Sequence, residues 1–379
     1  MRVSGDWLRS DAAARVFRLL RDGGHAALAV GGCVRDDLLG VPVRDVDIST
    51  DARPERVVAL AEAAGVKAVP TGIEHGTVTL VVGGAPYEVT TFRRDVETDG
   101  RRAVVAFSDR VEEDAARRDL TMNALYAEAD GRVVDPLGGL PDLRARHVRF
   151  IGDPQARIRE DYLRIMRFFR FTAWHGDPAL GLDADGLAAC AALADGLDGL
   201  SRERVGHEMR RLLAATDPAP VVAAMGASGV LARVLPGADA ASLARLVHME
   251  AGRAPDWLRR LAALGGDASG LRLSRAEDKT LDALRTADGP PFGLGYALGA
   301  ERGSDALLTR AASVGADPAP EELAAVAAGA GARFPLQARD LMPALSGPAL
   351  GEALGRARAA WIDSRGTLDG AALRAVALG

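Results

Sequence analysis

Cysteine is nearly missing from this 379-residue sequence: only Cys33 and Cys190 occur, far apart. Two isolated thiols build no disulfide framework and fit a reducing, intracellular compartment. Long apolar runs are missing as well. Nothing approaches the ~18 uncharged apolar residues that a membrane span needs. The opening MRVSGDWLRSDAAARVF is amphipathic, broken by charge and without a small-residue cleavage site. A cytoplasmic protein with no membrane partner is therefore expected. The six histidines are scattered, with no HExxH and no Cys/His cluster, so no zinc is expected. No GxxxxGKS/T occurs, which excludes a P-loop kinase or ATPase. Lysine is confined to Lys67 and Lys279, an arginine bias that a GC-rich genome explains as readily as phosphate recognition.

What is present reads as an ordinary globular chain with room for two or three domains: 48% hydrophobic and 26% charged residues. The net charge of −5 argues against a protein that coats nucleic acid, but distribution matters more than the sum. Between Arg144 and Phe171 eight arginines face only Asp153, Glu160 and Asp161. Up to about Leu140 short strand-like and helix-like runs alternate. They include Ala26 to Val30, a helix from Val34 to Leu39, Asp45 to Ser49, Thr77 to Val82, Tyr87 to Phe92 after a bend at Ala85-Pro86, Val104 to Phe107 and Arg132 to Val134. An α/β unit around a mixed sheet is predicted. Beyond Asp142 the strand signals vanish, and Ile158 to Trp174 and Ser201 to Ala215 show helical spacing. The rest is predicted helical without a fixed-period repeat, its Ala/Gly richness attributed to genome composition.

The strongest local pattern is GGCVRDDLLGVPVRDVDIS, Gly31 to Ser49. A strand that ends in two glycines and enters a helix lets backbone amides approach a phosphate, with Arg35 in reach of the same anion. Further on, Asp45 and Asp47 are one residue apart. On a strand the period of two puts both carboxylates on one face, and a divalent cation resolves their repulsion. Glu88, between Tyr87 and Val89, is either a third such carboxylate or a solvent-facing strand residue.

These residues resemble motif A of the DNA polymerase beta-like nucleotidyltransferases, specifically the class II tRNA nucleotidyltransferases and bacterial poly(A) polymerases. Further motifs follow in order: RRDLTMNAL (Arg117 to Leu125), DPLGGLPDL (Asp135 to Leu143), EDYLRIMRFFRF (Glu160 to Phe171) and SRERVGHEMRRLL (Ser201 to Leu213). The resemblance ends near residue 215. It implies an α/β nucleotidyltransferase head over 1–142, a helical neck with base recognition and RNA binding over 143–215, and a helical body and tail binding tRNA over 216–379. It implies Mg²⁺ on Asp45 and Asp47 as the catalytic metal site, and Gly32 and Arg35 against the triphosphate. Arg118 would contact the nucleotide, with Asp119 and Asn123 near the ribose. A His-Asp metal phosphohydrolase motif, present in some relatives, is not found in the tail.

In EDYLRIMRFFRF, Asp161, Arg164, Arg167 and Arg170 fall at steps of three on a predicted continuous helix, drifting about 60° per step. Asp161 and Arg164 then lie side by side as acceptor and donor. That pair matches the amino group and ring nitrogen of cytosine or adenine and rejects uracil and guanine. Arg167 lies nearby; Arg170, about half a turn away, is assigned to the nucleotide by resemblance alone. Phe168, Phe169, Phe171 and Trp174 are read as core. The expected reaction is template-independent addition of CCA to the tRNA 3′ end from CTP and ATP, with pyrophosphate released. A poly(A) polymerase, an A-only or CC-only enzyme, and a catalytically silent RNA-binding protein are the alternatives.

Overall fold

Alternation of apolar and polar residues builds a sheet only where both neighbours offer a matching register, and in this chain that happens early. The computed structural model describes residues 1–99, 102–250, 252–342 and 344–379, with backbone alone for 95–99 and 102–105. Among the described residues nine strands form: β1 Leu28–Val30, β2 Asp47–Thr50, β3 Lys67–Gly72, β4 Thr77–Val82, β5 Ala85–Thr91, β6 Arg93–Asp99, β7 Arg102–Phe107, β8 Tyr126–Ala127 and β9 Val133–Val134. Seven of them make one sheet in the order β3-β4-β5-β2-β1-β8-β9, and β6 pairs with β7 apart from it. β2 runs parallel to β5 and antiparallel to β1, so the sheet is mixed as predicted.

β4 buries Val78, Leu80 and Val82 while Thr77, Thr79 and Val81 stay half-buried, the pattern that made it legible. The bend predicted at Ala85-Pro86 lies instead at Gly83-Gly84. Both glycines take positive φ, 60° and 82°, which a two-residue hairpin turn requires, and Ala85 and Pro86 already pair with Val82 and Val81. β3 escaped notice because it is a bulged strand with no residue fully buried. Helices Asp11–Asp22 and Pro54–Ala63 pack on β3, β4 and β5. The first is capped by the Ser10 hydroxyl, which accepts from the Ala13 amide, and buries Ala13, Val16, Phe17 and Leu20 at helical spacing. Burial of one such apolar side chain stabilises by roughly 1.5–3 kcal/mol.

The chain divides into two compact units, Met1–Glu208 with Ala227–Arg233, and Met209–Gly226 with Val234–Gly379. After β9 both are helical. The continuous helix predicted from Ile158 to Trp174 is in fact two, Pro154–Glu160 and Leu163–His175. Asp161 sits at the break in extended conformation (φ −155°, ψ 107°), its Oδ1 accepting from the Leu163 amide at 3.1 Å. Aspartate competes with the backbone for that amide, which is how one residue interrupts a helical pattern.

In the second unit Phe292, Tyr296 and Phe334 meet the Trp361 ring edge-on at 5.1–5.5 Å. Helices Pro291–Val314 and Pro320–Gly331 approach backbone to backbone. A Cβ on Gly295 would lie 1.9 Å from the Val326 carbonyl oxygen, and one on Gly329 would lie 2.0 Å from that of Phe292. Here glycine is a packing requirement, not the compositional drift inferred from the sequence.

Candidate active site

The sheet's centre delivers the acidic residues. Parallel pairing sets Asp47, at the start of β2, directly beside Glu88 on β5. In-register residues of a parallel pair share a face. Asp45 lies just before β2 rather than within it, yet close enough to act on Asp47. The Asp47 carboxyl is pushed up to about 6, first by the packed surroundings, then by Glu88 and, more weakly, Asp45; only Arg118 opposes the rise. Because Asp47 reaches solvent, crowding by like charge is the cause that survives hydration. The three carboxylates are neighbours along an edge and not a closed cage: no three His, Cys, Asp or Glu among the described residues converge tightly enough for a metal. Their chemistry nonetheless fits a hard divalent cation, which takes oxygen ligands and relieves their repulsion.

Next to this edge the chain turns at Gly31 (φ 71°, ψ −117°) into the helix Gly32–Leu38. A Cβ on Gly31 would meet an Arg118 terminal nitrogen at 3.4 Å. Arg118 donates to the Tyr126 hydroxyl (3.1 Å) and Asp114 (3.1 Å), which hold it in place. Arg35 is buried; it pairs with Asp36 at 2.8 Å and donates to Asn123 Oδ1 at 2.6 Å. Asn123 in turn donates to Asp119 (3.1 Å), and Asp119 accepts from Arg167 Nε at 2.6 Å. Burial opposes the Asp119 charge, but Arg167 and the hydrogen bonds prevail and hold its pKa down at about 2. Arg167 keeps both terminal nitrogens without a protein partner among the described residues, on a side chain 32% exposed.

The helix break changes the setting of the two residues expected to read the base. Asp161 and Arg164 are not stacked on one helical face. Asp161 pairs with Arg204 at 2.6 Å. Arg164 pairs with Glu160 and donates to the carbonyls of Arg157 and Arg117, both at 3.0 Å. Arg170, assigned to the nucleotide by resemblance, is 3% exposed and ion-paired with Glu208 inside the protein. Of the residues read as core, Phe168, Phe169 and Phe171 are buried, whereas Trp174 is 48% exposed.

Sequence reasoning left two supports unread. Glu88 was ambiguous until the β2–β5 register paired it with Asp47. In DPLGGLPDL, Asp142 accepts from the Thr121 hydroxyl (2.7 Å) and Arg149 (2.6 Å), and a Cβ on Gly139 would meet the Thr121 carbonyl oxygen at 2.5 Å. That motif therefore clamps the 3-10 turn Thr121–Asn123, whose Asn123 carries the Arg35 contact.

Residues 27–149 match the family model "Poly A polymerase head domain", and residues 180–242 match "Probable RNA and SrmB- binding site of polymerase A". The CCA-adding enzyme of Geobacillus stearothermophilus is 35% identical over 327 residues, 81% of this chain and 79% of that protein. The mouse mitochondrial CCA tRNA nucleotidyltransferase 1 is 42% identical over 190 residues, 50% of this chain and 44% of that one. The chain spans about half the length of several of the curated relatives it matches. The crystal structure of the Bacillus stearothermophilus CCA-adding enzyme in complex with CTP superposes with a TM-score of 0.72 at 32% identity, covering 93% of this chain and 92% of that one. The Thermotoga maritima CCA-adding enzyme complexed with tRNA shares the fold (TM-score 0.71, 18% identity, covering all of this chain and 98% of that one).

Proposed function

This chain belongs to the CCA-adding enzyme family, its mixed sheet the nucleotidyltransferase head, and we propose that it adds CCA to tRNA 3′ ends from CTP and ATP. The observation that supports this best is the pairing of Asp47 with Glu88 beside Arg118 and the Gly31 turn. Asp45 and Asp47, with Glu88 as a third oxygen ligand, would hold divalent cations, Mg²⁺ in our reading. When bound, these supply Lewis acidity toward the RNA 3′-hydroxyl and the leaving pyrophosphate. The 3′-oxygen forms its bond to the α-phosphorus as the bond to the β-phosphate breaks.

Each remaining role belongs to a side chain. The open backbone at Gly31 and Gly32 admits the triphosphate, and Arg35 and Arg118 compensate its charge. Asp119 and Asn123 would serve the ribose. Asp161 and Arg164 read the base edge after exchanging Arg204 and Glu160 for it, and the spare nitrogens of Arg167 meet the same nucleotide. Arg170, held by Glu208, contributes from behind. We take 1–142 as head, 143–215 as neck and 216–379 as a tRNA-binding body and tail, in the cytoplasm. No helix among the described residues is long and apolar enough to cross a membrane.

One assay tests the reading: purified protein with tRNA ending at its discriminator base, and CTP or ATP offered singly and together. CC from CTP alone and CCA from both is the expected outcome. A poly(A) polymerase, which would share this head, adds adenylate runs without CTP; a CC-only or A-only enzyme stops short. No extension under any condition leaves an RNA-binding protein and ends the proposal.

A further inference from the structure

Three guanidinium groups surround a single aromatic ring. Arg170 lies 4.1 Å, Arg35 5.0 Å and Arg167 5.3 Å from the Phe171 centroid. Each cation has its own acid, Asp36 for Arg35, Asp119 for Arg167 and Glu208 for Arg170, so the charges balance around the ring. Hydrogen bonds and ring contacts close a loop of five side chains: Arg35 to Asn123, Asn123 to Asp119, Asp119 to Arg167, and both arginines onto Phe171. The loop ties the helix Gly32–Leu38 of the head to the helix Leu163–His175.

We propose that Phe171 is a positioning residue that couples Arg35 and Arg167 into one nucleotide-binding unit, so that charge met by one arginine orients the other. The proposal rests on the nucleotidyltransferase reading above. The ring is 5% exposed, and a desolvated cation over an aromatic face is held more strongly than one in water. Guanidinium suits this role because it is planar and weakly hydrated. An aliphatic side chain would fill most of the same volume but present no negative face, leaving each arginine held by its own acid alone. Arg35 has its donors engaged by Asn123 and Asp36, whereas Arg167 has terminal nitrogens to spare. A nucleoside triphosphate that draws on Arg35 would thus set the direction in which Arg167 presents those nitrogens to the rest of the same nucleotide.

The test is a double-mutant cycle on CTP and ATP binding and on tRNA extension. In the wild-type background, Arg35→Lys and Arg167→Lys should be non-additive in KM by about fivefold to tenfold, the range of one such contact. Phe171→Leu and Phe171→Met should raise nucleotide KM about tenfold, leave kcat within about threefold, and reduce the non-additivity of the two arginines to what the Asn123–Asp119 path carries. Phe171→Tyr, which keeps the ring, should restore both the affinity and the non-additivity. A residue that only fills space would instead lower the melting temperature without touching the coupling. Additive arginine effects in the wild-type background overturn the proposal by themselves, even if both aliphatic variants fail to fold. So does coupling that persists unchanged in Phe171→Leu or Phe171→Met. Wild-type protein that binds neither nucleotide and extends no tRNA sinks the functional reading itself; binding and extension with additive arginines sinks only the coupling.

Discussion

Two arginine networks in this chain are built from the same parts and finished differently. In the second unit Arg260 donates through every nitrogen: to Glu250 at 2.8 and 2.9 Å, and to the carbonyls of Leu213, Ala215 and Thr216. Arg259 beside it is shared between Glu250, Asp305 and the Ala254 carbonyl. Both arginines are at most 4% exposed. In the first unit Arg167 spends one nitrogen on Asp119 and leaves two without a protein partner among the described residues, while Glu88 and Asp45 crowd Asp47 and only Arg118 offsets them. A buried ion network that is fully satisfied specifies structure. One with spare donors and crowded acids has capacity left for groups outside the protein. Distinguishing the two requires counting donors and acceptors, because both look alike in composition.

The comparison breaks most visibly at the acidic edge. Asp45→Asn and Asp47→Asn should each lower nucleotide addition roughly a thousandfold or more at saturating Mg²⁺, since a lost cation ligand forfeits several kcal/mol of transition-state stabilisation. The melting temperature of Asp47→Asn should hold or rise slightly. A carboxyl raised in the folded state is a cost to folding once ionised, and the amide removes it. Turnover within tenfold of wild type in either variant would refute the assignment. The closed network should answer oppositely. Glu250→Ala strands Arg260 in the interior without a counter-charge, leaves Arg259 with Asp305 alone, and should destabilise by about 3–5 kcal/mol in denaturant melts. Nucleotide preference among the folded molecules should stay as it was. A shifted preference would mean the second network is not purely structural.

How much of this was legible in the sequence depends on how local the cause is. The Gly31 turn, β4 and the Asp45/Asp47 spacing announce themselves within a few residues. Glu88 needed the β2–β5 register, a contact across 41 positions of sequence that no local pattern encodes. The break at Asp161 was hidden for the converse reason. A helical periodicity running from Ile158 to Trp174 outvoted a single aspartate whose side chain takes the Leu163 amide. Phe171 was rightly read as buried, but periodicity reports that a residue faces inward and says nothing of the three cations it faces. Gly295 and Gly329 were lost in an Ala/Gly-rich background, although contact between two helix backbones leaves no room for a Cβ at either.

A finer cut lies within the open region itself. If Asp161 and Arg164 read the base edge, Asp161→Ala and Arg164→Ala should each erode the preference for CTP and ATP over UTP and GTP by about one to two orders of magnitude, the worth of a charge-assisted hydrogen bond. Their present partners predict the contrary if those partners are the whole story. Loss of Glu160 and two carbonyls from Arg164 would then lower stability and slow all four nucleotides in parallel. Measuring kcat/KM for the four nucleotides in both variants separates the outcomes, and a parallel decline would demote the pair to scaffold.

The smallest effect is expected at Arg204, and it tests whether Asp161 is held in reserve. The Arg204–Asp161 pair is 2.6 Å long, but its side chains are 44% and 30% exposed. Such a pair contributes at most about 1 kcal/mol to stability, so Arg204→Ala should leave the melting temperature nearly unchanged. Its effect on function should have the opposite sign to that of Asp161→Ala. A base amino group that uses the Asp161 carboxylate must first displace Arg204, and removing the competitor should lower KM for CTP and ATP by up to about fivefold, the ceiling set by the same 1 kcal/mol. kcat should not move. The gain should also shrink as salt rises, because screening already weakens the pair in the unaltered protein. A higher KM in Arg204→Ala would mean that the arginine joins Asp161 in gripping the nucleotide rather than guarding it, and the acceptor offered to the base would then be the pair and not the carboxylate alone.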